Sequence, residues 1–80
     1  MSQTIESKRD TLKSIINDIL LEKEGASTVD SLPDDTSLTK DLGLDSLHLA
    51  EMTVRLEDEY GIDVFAEDVP NKIGDVLAKL

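Results

Sequence analysis

The sequence predicts an all-α fold: a small bundle of three main helices and one short helix, with a long ordered loop between the first and second. Three observations carry this. Apolar residues recur at helical spacing in three separate segments, glycines at Gly25 and Gly61 stop two of them, and only one short stretch alternates as a strand would.

The first segment, Thr4 to Lys23, places Ile5, Leu12, Ile16, Ile19 and Leu20 on one stripe, with Ile15 and Leu21 widening it. Lysines and acids fill the other face, so an amphipathic helix is expected. From Gly25 to Asp45 the composition changes to the Ser, Thr, Asp and Pro33 of a loop. Val29, Leu32, Leu38, Leu42 and Leu44 punctuate it, so this loop is expected to pack back onto the helices. Long ordered loops tend to be functional.

The second helix is predicted from Ser46 to Tyr60. Leu47, Ala50, Val54 and Asp58 share one stripe, and Leu49, Met52, Leu56 and Tyr60 form its neighbour. Two stripes suit one face for the core and another for a partner. Gly61 stands where a C-cap glycine stands. Ile62, Val64 and Phe65 alternate around Asp63, but no second strand could pair with them, so they read as loop residues anchored in the core. A short helix or turn is expected near Ala66 to Val69, curtailed by Pro70. Ile73, Val76, Leu77 and Leu80 at i, i+3, i+4 and i+7 predict the last helix.

Eighty residues suit one domain, 1–80, near the lower end of what folds alone without metals or disulfides. There is no cysteine, and the only aromatics are Tyr60 and Phe65, so the core must be aliphatic. The net charge of −10 argues against nucleic acid and anionic membranes as partners and favours basic proteins. Nine acids crowd between Asp41 and Asp68 against Arg55 alone, a repulsion that should oppose folding and that salt should relieve. No signal peptide, spanning segment or lipidation motif is evident, so a cytoplasmic monomer is expected. Met1 and the compact length suggest a free-standing protein.

The stretch "LGLDSLHLAEM" centres on Ser46. At a helix start, Asp45 or Ser46 could simply cap exposed N–H groups. No capping box is expected, because His48 and Leu49 occupy the third positions. A nucleophilic serine needs a base beside it, yet the single histidine, His48, lies at i+2 and points about 200° away. Gly-x-Ser-x-Gly is absent, so no catalytic residue is assigned. His48 reads as a surface side chain. "DDTSLTKDLGLD" lacks the ligand register of a calcium loop, and no metal site is assigned. What suits an isolated serine at a helix N-terminus is modification by another enzyme. A phosphate attached there would sit at the positive end of the helix dipole.

The run "DLGLDSLHLAEMTVRLEDEYGIDV", Asp41 to Val64, resembles the signature of acyl carrier proteins. Leu42-Gly43-Leu44-Asp45-Ser46-Leu47 matches the family's motif at the start of the second helix. Glu51, Glu57, Asp58 and Glu59 match its acidic positions, and Tyr60 its aromatic one. The resemblance extends over nearly the whole chain, including its length and acidity.

This resemblance implies that Ser46 accepts 4′-phosphopantetheine from coenzyme A, transferred by a separate magnesium-dependent phosphopantetheinyl transferase (holo-carrier synthase). The arm's thiol would hold acyl groups as thioesters, and the chain itself would catalyse nothing. The second helix would be the recognition surface. Asp45, Glu51, Glu57 and Asp58 would face basic patches on acyltransferases, ketosynthases and other acyl-processing enzymes, with Leu47 and Val54 as apolar contacts. Such charges speed encounter and select partners more than they add affinity.

Four departures bear on the pathway. His48 and Leu49 stand where primary-metabolism carriers often have an acid and a small polar residue. Arg55 puts a positive charge inside the acidic face, the segment Val69 to Ile73 is compressed around Pro70, and the chain has no tail beyond Leu80. Fatty-acid and specialised polyketide pathways both stay open. An aminoacyl or peptidyl carrier is the nearer alternative, although such carriers more often show glycines before the serine than Asp45. A non-carrier acidic helical interaction module is the alternative from another class.

Overall fold

Helical spacing becomes three helices in the computed structural model, which describes residues 4–22, 28–66 and 68–80. They are α1 (Ile5–Glu22), α2 (Ser46–Tyr60) and α3 (Ile73–Lys79). Their apolar stripes meet in one core. Leu12, Ile16 and Ile19 of α1, Met52 and Leu56 of α2, and Ile73 and Val76 of α3 are all fully buried. Leu32 and Leu38 from the long loop and Val64 from the α2–α3 connection complete it, and no buried residue among those described is polar or charged. The core is therefore aliphatic apart from Met52, with Tyr60 and Phe65 packed at its edge.

The long loop is held from two sides. Each buried leucine contributes roughly 1.5–3 kcal/mol, whereas ordering backbone costs about 1–2 kcal/mol per residue. Buried Leu32, Leu38, Leu42 and Leu44 cannot fix this loop alone. Polar straps add to them. Arg9, Lys13 and Asn17, spaced by four on one face of α1, donate to the carbonyls of Leu32 (2.5 Å), Asp30 (3.2 Å) and Val29 (3.0 Å). The Val29 N–H returns a bond to Asn17 Oδ1 at 2.8 Å. On the other side the loop pairs with the entry to α3. Leu38 N–H donates to Asn71 O, Ile73 N–H to Thr36 O and Gly74 N–H to Asp34 O, around an isolated antiparallel bridge between Ser37 and Lys72.

Several expectations change. Among the described residues three helices form rather than a four-helix bundle. A turn at Val64 and Phe65 and bends at Ala66 and Asp68 stand in place of the short helix, and Glu67 lies outside the described residues. The turn is closed locally: Asp63 Oδ1 accepts from Phe65 N–H, and the Asp63 carbonyl accepts from Ala66 N–H. Lys79 Nζ then clamps the segment by donating to the carbonyls of Val64 and Asp68. Leu21 does not widen the core stripe. It is 69% exposed, because its neighbour Leu20 takes the inward position. The predicted stop at Gly25, Lys23 and the side chain of Ile5 fall outside the described residues. As expected, Val64 is buried in the core, with Ile62 and Phe65 packed against it.

The scarce cations bear on stability. Lys8, Arg9, Lys13 and Lys79 each donate to a backbone carbonyl, and Arg55 is drawn to α1. Of these, only Lys79, on the Val64 and Asp68 carbonyls, sits beside Asp63 and Asp68; the others fasten α1 to other segments, away from the acids Glu57, Asp58 and Glu59. Screening works over a Debye length of about 10 Å at 0.1 M salt, so repulsion among these acids should fade as salt is added. The thermal unfolding midpoint is expected to rise with sodium chloride. A midpoint that stays level across the series would contradict this account.

Candidate functional site

The loop delivers its last residues to α2 by alternation. Leu42 and Leu44 are buried at 8% and 2% exposure, while Gly43, Asp45 and Ser46 face out. From Ser37 to Gly43 the chain makes a helix-like turn, with Asp41 N–H and Leu42 N–H on Ser37 O and Gly43 N–H on Thr39 O. The turn ends at Gly43 with φ 69°, a left-handed conformation that costs an L-residue about 1–2 kcal/mol. Gly43→Ala is expected to lose about that much stability, read as a lower midpoint in urea. An unchanged midpoint would mean that the turn does not need its glycine.

Asp45 is extended, with φ −95° and ψ −176°, and is the N-cap of α2. Its Oδ1 accepts the His48 N–H at 2.9 Å, and its own N–H donates to His48 Nδ1 at 3.4 Å. This is a reciprocal capping box, which the sequence reading did not expect. The imidazole nitrogen fills the acceptor role usually taken by Glu or Gln. His48 is accordingly not a surface side chain, since only 19% of it is exposed.

Ser46 is the first helical residue and is exposed, and the cap is made by Asp45 and His48 without its hydroxyl. A serine that merely capped would have its oxygen on the N–H groups of the first turn. At the other end of α2, Gly61 takes the C-cap with φ 70°, as the sequence indicated.

Along α2 the two predicted stripes separate. Met52 and Leu56 are fully buried, with Leu49 and Tyr60 packed beside them. Leu47 and Val54 are 74% and 60% exposed, on one outward face with Ala50, Glu57 and Asp58. Glu51 lies at the edge of that face, half-buried, and Arg55 Nη2 donates to its Oε2 at 3.0 Å. The same guanidinium reaches Asp18 (3.3 Å) and Glu22 (3.6 Å) on α1. Arg55 therefore faces α1 and ties the helices together, rather than interrupting the outward acids.

Among the described residues, cavities of about 500, 260 and 350 Å³ lie between α1 and the loop and on either side of Lys79, and Ser46 lines none of these. No helix among the described residues is long and apolar enough to cross a membrane.

The start of α2 thus presents the exposed Ser46 hydroxyl beside an outward face of Leu47, Val54, Glu57 and Asp58. The family model described as phosphopantetheine attachment site matches residues 10–76, and the chain belongs to that family. No solved structure matches it. Domains of this family are the site of covalent 4′-phosphopantetheine attachment and act as non-catalytic carriers. The chain is thus a phosphopantetheine carrier and not an enzyme. It works with a phosphopantetheinyl transferase and with acyl-processing enzymes.

The residues fit the group. Ser46 offers an exposed hydroxyl oxygen for a phosphodiester, and the start of α2 favours a phosphate electrostatically.

Proposed function

We propose that Ser46 is the attachment point and that the chain, as a single monomeric cytoplasmic domain, carries acyl groups for fatty-acid or polyketide-type synthesis. The observation that carries the assignment is the division of labour at the start of α2. Asp45 and His48 make the cap, and Ser46, one residue inside it, is exposed. When attached, the arm supplies a terminal thiol on which acyl groups are held as thioesters.

The chain's own residues orient and present. Leu42 and Leu44 anchor the approach, Gly43 turns it, and Asp45 starts the helix that holds Ser46 outward. Leu47 and Val54, flanked by Asp45, Glu57 and Asp58, form the docking face for basic patches on partner enzymes. Glu51 contributes from its edge, shared with Arg55. Contacts of this kind steer encounter and leave affinity low, as a carrier that must leave each partner requires. Asp45 before the serine favours an acyl over an aminoacyl cargo.

The test is intact-mass measurement after incubation with coenzyme A, magnesium and a broad-specificity phosphopantetheinyl transferase. One addition on the wild type and none on Ser46→Ala is expected; an equal addition on both would overturn the assignment. Offering the loaded protein to acyltransferases and to amino-acid-activating enzymes separates the cargo classes.

A further inference from the structure

Arg55 is the one arginine or lysine of α2. At about 100° per residue, Leu47, Val54 and Asp58 lie within roughly 20° of one line along the helix. Ser46 and Glu57 lie about 80–100° to one side of that line, and Glu51 and Arg55 about 40° and 80° to the other. The outward face therefore has two unlike borders. On the Ser46 side Glu57 is exposed, and neither it nor Asp58 has a cation within 4 Å among the described residues.

On the α1 side Glu51 is answered from within the chain. Its Oε2 accepts Arg55 Nη2 at 3.0 Å, with the acid four residues before the base, the favourable order on a helix. Asp18 and Glu22, one turn apart on α1, hold the same guanidinium at 3.3 and 3.6 Å. A lone surface ion pair yields easily to a competitor, whereas three carboxylates around one guanidinium keep it in place. Three negative charges against one positive leave this edge at −2, so a basic partner is still drawn toward it from a distance. At contact the outcome differs: a lysine or arginine aimed at Glu51 meets Arg55, and like charges brought together reject a partner.

We propose that Arg55 is a specificity-determining residue: it competes with partners' cations for Glu51 and leaves most of the cationic contact to Glu57 and Asp58, with Asp45. This rests on the docking face proposed above. The partners selected are enzymes whose basic patch runs along the Ser46 side of α2. A patch that reaches across to the α1 border is rejected on contact, although the overall charge attracts it.

The test is a double-mutant cycle on loading by one broad-specificity phosphopantetheinyl transferase with coenzyme A and magnesium. It is read as kcat/KM by intact mass, at a temperature where circular dichroism shows every variant folded. Glu51→Gln is expected to change kcat/KM by less than about twofold in the wild type and to lower it about three- to fivefold in Arg55→Gln, the range of an exposed ion pair. Glu57→Gln should lower it about three- to fivefold in both backgrounds. Arg55→Lys, which keeps a cation beside Glu51, should restore the wild-type indifference to Glu51→Gln. An equal effect of Glu51→Gln in both backgrounds while Glu57→Gln still matters, or an Arg55→Lys that behaves as Arg55→Gln does, overturns the role of Arg55 and leaves the docking face standing. If neither Glu51→Gln nor Glu57→Gln matters in either background, the docking face falls and the role of Arg55 with it. No mass gain on the wild type overturns the assignment of Ser46 and everything that rests on it.

Discussion

Ser46→Ala is expected to abolish loading with phosphopantetheine while leaving the fold unchanged. The chemical half is all-or-none, since no other atom at that position can form the phosphodiester. The structural half follows from the cap. Asp45 Oδ1 and His48 Nδ1 satisfy the start of α2, so removing the Ser46 hydroxyl deletes no capping bond. Alanine is also the better helix former by about 0.5 kcal/mol. The variant should therefore unfold within about 0.5 kcal/mol of wild type, a few degrees at most in a domain of this size. Asp45→Ala is the contrast: it removes the N-cap and should cost about 1 kcal/mol. Thermal unfolding followed by circular dichroism, paired with intact mass, reads both halves. A strongly destabilised Ser46→Ala would mean that the serine does belong to the cap.

The two halves of that result were unequally legible in the sequence. Ser46 stood out because its flanking motif matches a family, and the helices stood out because Leu12, Ile16, Met52, Leu56, Ile73 and Val76 repeat at a period that only a helix uses. The leucines of the long loop were legible too, since a solvated linker has no use for them. What periodicity cannot see is polar contact at long range. Arg9, Lys13 and Asn17 looked like a solvated face, yet their partners lie 12 to 23 residues away in the loop. Their spacing of four was the available signal, but spacing alone does not say what faces it. Arg55 was misplaced for the same reason: whether it looks outward or toward Asp18 and Glu22 is decided by how α2 packs on α1. His48 was missed because its acceptor is a ring nitrogen where an acid or amide is customary. The spacing of three from Asp45 was visible all along.

The second large effect separates two leucines that the motif treats alike. Leu44 and Leu47 flank Asp45-Ser46, but Leu44 is 2% exposed and Leu47 is 74% exposed. Leu44→Ala empties a core position and is expected to cost roughly 2–5 kcal/mol. For a chain this small, total stability on the order of 4–12 kcal/mol follows from about 0.05–0.15 kcal/mol per residue, so the loss is a large part of the whole. Its unfolding midpoint should fall by roughly ten degrees or more, and loading should slow because the loop no longer holds the start of α2 in place. Leu47→Ala uncovers nothing buried, so its stability should stay within about 0.5 kcal/mol of wild type. Its effect is expected at the proposed docking face. Loss of an exposed apolar contact at the centre of an interface, worth about 1–2 kcal/mol, should lower the transferase's kcat/KM by about tenfold. Plotting midpoint against kcat/KM for the two variants is the decisive measurement. Leu44→Ala should fall on both axes and Leu47→Ala on one. If Leu47→Ala left kcat/KM unchanged, the exposed stripe of α2 would not be the surface that partners grip.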